Sequence, residues 1–359
     1  MASTNDPVSN SAWFCRATSR RHFIGVIAAA LGTAPTAMVL VASGAQITPS
    51  QPTGRRLRIT LGHHHPPGGQ VDVYAHDFAD LVAKKTNGQA AVDVMPAAQL
   101  GAEQEAAKGV QLGSLQMTIV SGPLFDDYLK EMGTEQLPYL FDTWDQAIHV
   151  HLGPVGDEMA KRLLPVSNVR CLSWLLMGWR HMFFRSTNPT TLAGIKGLKI
   201  RSPQMDLYVK MFELLGAKPV MISMSEVYTA LQSGVADGAE NPFQSAIDNK
   251  WTEVCKHILL TRHMFNSLAH MVNKQFFASL PTNVQDAIVE SAKEAAMVFA
   301  TRSRAAEEAA VNNLKSAGIT IVTPSDPAAW KSAVRPLIDI WIKARPGSAS
   351  LIEMIRATK

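Results

Sequence analysis

The sequence predicts an α/β fold in which a mainly parallel sheet carries helices on both faces. Two observations point to it. Segments of strand period alternate with longer segments of helical period, and that β-α-β-α-β rhythm is what a parallel sheet with crossover helices requires. Residues 282–317 also read as one unbroken helix, free of Pro and Gly until Gly318. It is about three times the average helix length and would run about 50 Å, longer than one small domain is wide. Its simplest use is as a strut touching two lobes.

The elements follow in order. Residues 57–61 alternate as a strand, and 71–86 place Tyr74, Phe78, Leu81 and Val82 on one helical face. Asn87-Gly88 ends that helix. Next come a strand at 91–95, a helix at 103–111 closed by Gly113, and a strand at 117–120. Residues 144–164 read as one helix, and 171–177 and 182–185 as two strands flanking a break at Gly178-Trp179-Arg180. A strand at 199–200, a helix at 205–215 stopped by Gly216 and a strand at 219–222 follow. Ser223 and Glu226 form a capping box opening a helix at 227–233. Residues 241–250 read as a helix capped by Asn241 ahead of Pro242. Strands at 258–261 and 269–273 precede the long helix.

The 359-residue chain is 47% hydrophobic and 18% charged, within the range of soluble globular proteins. Its formal charge is +4, with Arg16, Arg20 and Arg21 near the N-terminus and no long basic block elsewhere. No nucleic-acid partner is expected. Ser19-Arg20-Arg21-His22-Phe23-Ile24 precedes an apolar stretch running to Val41, interrupted by Gly32 and Pro35. Ser43-Gly44-Ala45 then offers small residues for cleavage. This arrangement predicts a twin-arginine signal over residues 1–45. The apolar stretch falls short of the ~20 residues a membrane span needs. Residues 46–56, with Pro49, Pro52 and Gly54, read as a flexible leader. Beyond Cys15, Cys171 and Cys255 form no CxxC or zinc pattern and read as two separate buried thiols rather than a pair.

Three places carry recognisable chemistry. Arg201, in Gly197-Leu-Lys-Ile-Arg201-Ser-Pro203, falls at the carboxyl end of a short strand. Ligands of open α/β sheets bind beyond such ends, and a guanidinium grips a carboxylate with two parallel hydrogen bonds. Taken alone, the same residue reads as an ordinary surface arginine. Arg180 lies in the break between two strands, and Asn241 ends the polar run Asp237-Gly-Ala-Glu240-Asn241. The run His63-His64-His65 sits at the carboxyl end of the first strand. Two histidines on one strand face make a weak metal site, so a pocket-lining imidazole is the better reading and no metal or cofactor is expected. The motifs GxSxG, GxGxxG and GxxxxGK[ST] are absent, which gives nucleophilic catalysis no support.

At these motifs the sequence resembles the DctP-type solute-binding subunits of tripartite ATP-independent periplasmic (TRAP) transporters. The landmarks are Pro96-Ala-Ala-Gln-Leu-Gly101, Leu137-Pro-Tyr-Leu-Phe141, Gly197-Leu-Lys-Ile-Arg201, Ser225-Glu-Val-Tyr-Thr-Ala-Leu-Gln232 and Gly234-Val-Ala-Asp-Gly238 with Glu240-Asn-Pro242. They span about residues 57–341 in the family's order. The resemblance implies a two-lobed, periplasmic-binding-protein-like fold with the long helix crossing both lobes. It implies lobe I from residues 57–177 and 267–306, lobe II from 178–266 and 307–341, and a C-terminal tail at 342–359. It makes Arg201 the carboxylate anchor, Arg180 a second arginine and Asn241 a ligand contact. By alignment it adds Glu103, Ser121, Gln204, Met224 and one of the three histidines, taken as His64. Trp174 also enters as a residue shaping ligand choice. Ser121 stands where sialic-acid-binding members have an acidic residue, and Met224 where they have Phe, which argues against sialic acid.

The function implied is capture of a small organic carboxylate, a sugar acid or hydroxy acid, in the periplasm. The partners implied are the small and large integral membrane subunits of the transporter, with the binding protein itself a monomer. A secreted enzyme acting on a carboxylate and a ligand sensor for a membrane receptor remain alternatives.

Overall fold

A computed structural model describes residues 56–359. The predicted export segment and all but the last residue of the leader lie outside them. The strands are β1 (Leu57–His63), β2 (Ala90–Met95), β3 (Met117–Val120), β4 (Val169–Phe184), β5 (Lys199–Ser202), β6 (Lys218–Met221), β7 (Gly238–Pro242), β8 (His257–Asn273) and β9 (Thr320–Val322). They form one sheet in the order β2-β1-β3-β8-β4-β7-β5-β6, with β9 beside β8.

The sheet is mixed rather than mainly parallel. Its ends are parallel: β1 pairs with β2 and β3, and β5 pairs with β6 and β7. Its centre is antiparallel, where β8 pairs with β3 and β4, and β4 with β7. The βα rhythm foretold the ends. The centre was misread because β4 and β8 each run through what looked like a break. Gly178-Trp179-Arg180 is absorbed as a bulge, with register shifts between Leu176 and Gly178 and between Arg180 and Met182. Gly178 sits at φ 102°, a conformation glycine adopts at little cost. The segments at 258–261 and 269–273 are likewise one strand, β8.

Other boundaries also differ. The helix expected over 144–164 is two helices, Trp144–His151 and Pro154–Val166, divided where Gly153 caps the second and Pro154 opens it. Ser223 does not cap a backbone N–H; its Oγ donates to Glu226 Oε2 at 2.6 Å beside a 3₁₀ turn. Asn241 lies within β7, and the helix after it begins at Phe243 with Pro242 as its cap. The C-terminal tail is folded: helix Ser348–Ala357 buries Leu351, Ile352 and Ile355. Cys171 and Cys255 are separate buried thiols.

Of three apolar cores among the described residues, two draw on opposite ends of the sheet. On the β1 side, Ile59, Leu61, Tyr74, Phe78 and Val82 pack with Ile288 and Phe299. On the far side, Phe183, Val227, Leu231 and Trp251 pack with Ala310 and Leu314. Helix Gln70–Lys85 reaches the first core because Tyr74, Phe78 and Val82 recur every fourth residue on one face. Each fully buried large side chain contributes about 1.5–3 kcal/mol. The long helix, Thr282–Ser316, supplies residues to both cores, as a strut would. No helix among the described residues is long and apolar enough to cross a membrane.

The long helix also fixes the β4 bulge. Glu307 Oε2 accepts from the Trp179 N–H at 3.2 Å, and a Cβ on Gly178 would collide with that same oxygen. Burial pushes the Glu307 carboxyl up to about 7, outweighing the Trp179 N–H and Arg262. Its folded pKa therefore lies above the ordinary 4.5. The folded state favours the protonated form, and stability falls as pH rises between these two values. Glu307→Gln mimics the protonated carboxyl. It should stabilise the protein at pH 8 by about 3 kcal/mol and by far less near pH 5, read as melting temperature against pH.

Candidate functional site

Arg201 is the last residue but one of β5, which is flanked by β6 and β7. The residue is 4% exposed. Its Nε donates to the Ile222 carbonyl at 2.9 Å, which aims the guanidinium. No described side chain forms an ion pair with it, and its two terminal nitrogens donate to no protein acceptor among the described residues. Burial, the largest cause, depresses its pKa to about 10; nearby Arg180 adds to the effect, while Glu240 and Glu103 oppose it. At neutral pH the group is a buried cation facing a cavity.

Arg180 is the opposite case. Its Nε donates to Glu240 Oε2, and its Nη2 donates to Glu240 Oε1 at 2.7 Å and to the Glu240 carbonyl at 3.0 Å. Its Nη1 donates to Asn266 Oδ1 at 2.8 Å. The guanidinium lies 5.0 Å over the Tyr208 ring, a cation–π distance. Burial works against both charges, but mutual attraction outweighs it and leaves the Arg180 pKa raised and that of Glu240 lowered. His263 Nε2 stands 3.4 Å from Glu240 Oε2. Tyr208 in turn donates to Gln136 at 2.7 Å, which ties the cluster to the loop before Pro138.

Across the cavity, Glu103 opens helix Glu103–Leu112. Its Oε1 accepts from the Ser121 N–H and hydroxyl, both at 2.7 Å. Its Oε2 lies 4.0 Å from His64 Nε2. Burial, then His63 and Arg201, push the His64 imidazole down to about 3, so it is neutral at physiological pH. The His65 ring lies tilted against it, with centroids 4.2 Å apart, and is also held well below the usual range by burial. His63 turns away and pairs with Asp72 at 3.1 Å. Among the described residues no group of three or more metal-ligating side chains gathers.

These groups line two adjoining cavities. The outer one, about 230 Å³, holds His64, Glu103, Arg201, Gln204 and Met224. The inner one, about 30 Å³, shares His64, Glu103, Arg201 and Met224 and adds Ser121, Arg180 and Asn241. All eight residues singled out from the sequence thus surround one space. Gln204 is at the mouth, where its carbonyl accepts from Gln104 Nε2 at 3.0 Å. Asn241 Nδ2 lies 3.8 Å from Met224 Sδ. Trp174 is elsewhere: its indole points to the Gly156 carbonyl, beside a separate small cavity.

Sequence reasoning missed Tyr208, Asn266 and Ser245, which also line the inner cavity, and from the histidine run it took His64 alone where His65 lines that cavity too. It quoted Glu240 within the Glu240-Asn-Pro242 motif without seeing that this carboxylate occupies Arg180. Asn266 opposes Gly178 in the β4–β8 register, a juxtaposition hidden once β8 was read as two strands.

A sheet whose strand ends converge on a polar cavity, with one buried guanidinium left unpaired among the described residues, is the build of a solute-binding protein. The chain belongs to the DctP family, bacterial extracellular solute-binding protein family 7, whose profile matches residues 61–344. It is 30% identical over 312 residues to a solute-binding protein of Verminephrobacter eiseniae, covering 87% of this chain and 91% of that one. It is 31% identical to the C4-dicarboxylate-binding periplasmic protein DctP of Rhodobacter capsulatus, covering 78% and 85%. It superposes on the crystal structure of a TRAP periplasmic solute binding protein from Xanthobacter autotrophicus Py2 with bound beta-D-galacturonate. The TM-score is 0.79 at 28% identity, over 84% of this chain and all of the other. The two-lobed α/β fold implied by the sequence is the fold of this family.

Glu240→Gln keeps the shape of the buried pair and removes its anion. Leaving Arg180 uncompensated should cost about 3–5 kcal/mol of stability, read as a lower urea midpoint.

Proposed function

We propose that this protein captures a small organic carboxylate, of the sugar-acid or hydroxy-acid class, in the periplasm and hands it to the small and large membrane subunits of a TRAP transporter. The observation that carries this reading is the unpaired guanidinium of Arg201, buried at a strand end with its terminal nitrogens free. A buried charge without a partner is costly. A carboxylate entering the cavity removes that cost and accepts two parallel hydrogen bonds. The galacturonate bound by the Xanthobacter protein and the dicarboxylates named for the Rhodobacter protein are both anions of this kind.

Arg180 has its donors on Glu240 and Asn266, so its part is to build the wall behind Arg201. Asn241, Ser121, Glu103, Met224, His64 and Gln204 shape the remaining wall. Binding needs no covalent step, so the protein is a carrier rather than an enzyme, and it acts as a monomer. The twin-arginine segment is its route out of the cytoplasm. The lobes take residues 57–177 with 267–306 and 178–266 with 307–341. The continuous β4 and β8 and the shared long helix support that division. Closure of the lobes buries the ligand, and the Gln104–Gln204 contact at the mouth is one seam of the closed form.

A thermal-shift screen of small organic acids tests the class. A ligand at 100 times its dissociation constant adds about 2.7 kcal/mol of stability. A screen in which only uncharged compounds raise the melt, or one in which the ligand is turned over, sinks the reading. With an acid identified, Arg201→Ala should weaken binding by about 2–5 kcal/mol. Arg201→Lys should also weaken it, because one ammonium does not reproduce the guanidinium fork. Calorimetry showing wild-type affinity in Arg201→Ala removes the anchor role.

A further inference from the structure

The charges around the cavity are unevenly matched. Arg180 is neutralised by Glu240. Among the described residues Arg201 is the sole Lys or Arg lining the outer cavity, so a ligand there meets one open cation. Facing it is Glu103, whose Oε1 is held by Ser121 and whose Oε2 accepts no hydrogen bond among the described residues. The neighbouring His64 does not offset this anion, since burial and adjacent positive charge keep its imidazole neutral. The outer wall is acidic as well, with Glu105 and Glu226 both lining it.

An anionic group on Arg201 is therefore well placed, whereas a second one within this cavity meets Glu103, Glu105 or Glu226 and no further Lys or Arg among its described lining residues; in the neighbouring cavity Lys108, Lys130 and Arg345 are matched by Asp126, Asp127 and Asp206. Hydroxyl groups face the reverse situation. Glu103 Oε2 is an open acceptor for them, and the Ser223 and Ser225 hydroxyls on the outer wall can accept, the Ser223 proton being given to Glu226. Family membership does not decide the matter, because the Rhodobacter relative is a dicarboxylate-binding protein.

Resting on the carboxylate-binding reading of this cleft, we infer that the site selects a polyhydroxy monocarboxylate and rejects the matching dicarboxylate, with Glu103 as the specificity-determining residue. Selection here comes from repulsion as much as attraction, the usual way a site tells close analogues apart.

Calorimetry on matched acid pairs tests this. The pairs are gluconate and glucarate, galactonate and galactarate, and erythronate and meso-tartrate, with succinate alongside. Within each pair the far terminal carbon is a hydroxymethyl group in one member and a carboxylate in the other. In the tightest-binding pair the monoacid should bind about a hundredfold more tightly than the diacid, the scale of a like-charge contact across a partly buried site. Glu103→Gln should shrink that ratio about tenfold, whereas a purely structural role for Glu103 would weaken both members and leave the ratio unchanged. A diacid or succinate that binds as tightly as any monoacid, and still needs Arg201, overturns the inference while the carboxylate reading stands. Silence from every acid in the panel overturns both.

Discussion

The buried pair of Arg180 and Glu240 sets the electrostatics of the whole cleft. Both residues lie where β4 and β7 run antiparallel, and both are almost wholly buried. Ion pairs in such surroundings persist only when their geometry is good and their other donors are satisfied. Here Asn266 and the Glu240 carbonyl complete the set. Because Glu240 is spent on Arg180, no carboxylate among the described residues forms an ion pair with Arg201, and Glu240 and Glu103 act on it only through space. Two arginines that look alike in sequence thus have opposite characters: one is cemented into the wall, and the other is held ready by a single hydrogen bond through its Nε.

The residues of the site were largely legible in the sequence, but their connections were not. Arg201, Asn241 and Glu103 were found because each falls inside a short motif or beside a strand end, where local pattern is informative. Glu240 was in plain view two residues from Pro242, yet its partner is 60 positions away, and no local period reports such a distance. The strands that make the connection were also the ones misread. A glycine and an arginine in the middle of an apolar run look like a turn, and only the carboxylate of Glu307 from the long helix shows why the chain passes through as a bulge. The sheet centre is antiparallel for the same reason: pairing between β4 and β8 joins segments that local rhythm treats as separate. The long helix, by contrast, was read almost to the residue, because helical period over many turns is the strongest signal a sequence carries.

The histidine run illustrates how one triplet divides its labour. On a strand end, neighbours point to opposite sides. His63 turns inward to Asp72, which also accepts from the Gly68 N–H and so braces the loop that follows. His64 and His65, in tilted contact, present an uncharged aromatic surface to the cavity. Burial keeps both imidazoles uncharged.

The topology has a consequence for how such proteins diversify. One end of the sheet is built from residues near the start of the chain, the other from a stretch in its middle, and β4, β8 and the long helix each return to both. No single cut separates the halves. Exchanging one half with a relative would require several simultaneous joins, each preserving strand register across the centre. New ligand preferences in such a framework arise by point changes along the cleft walls rather than by trading modules.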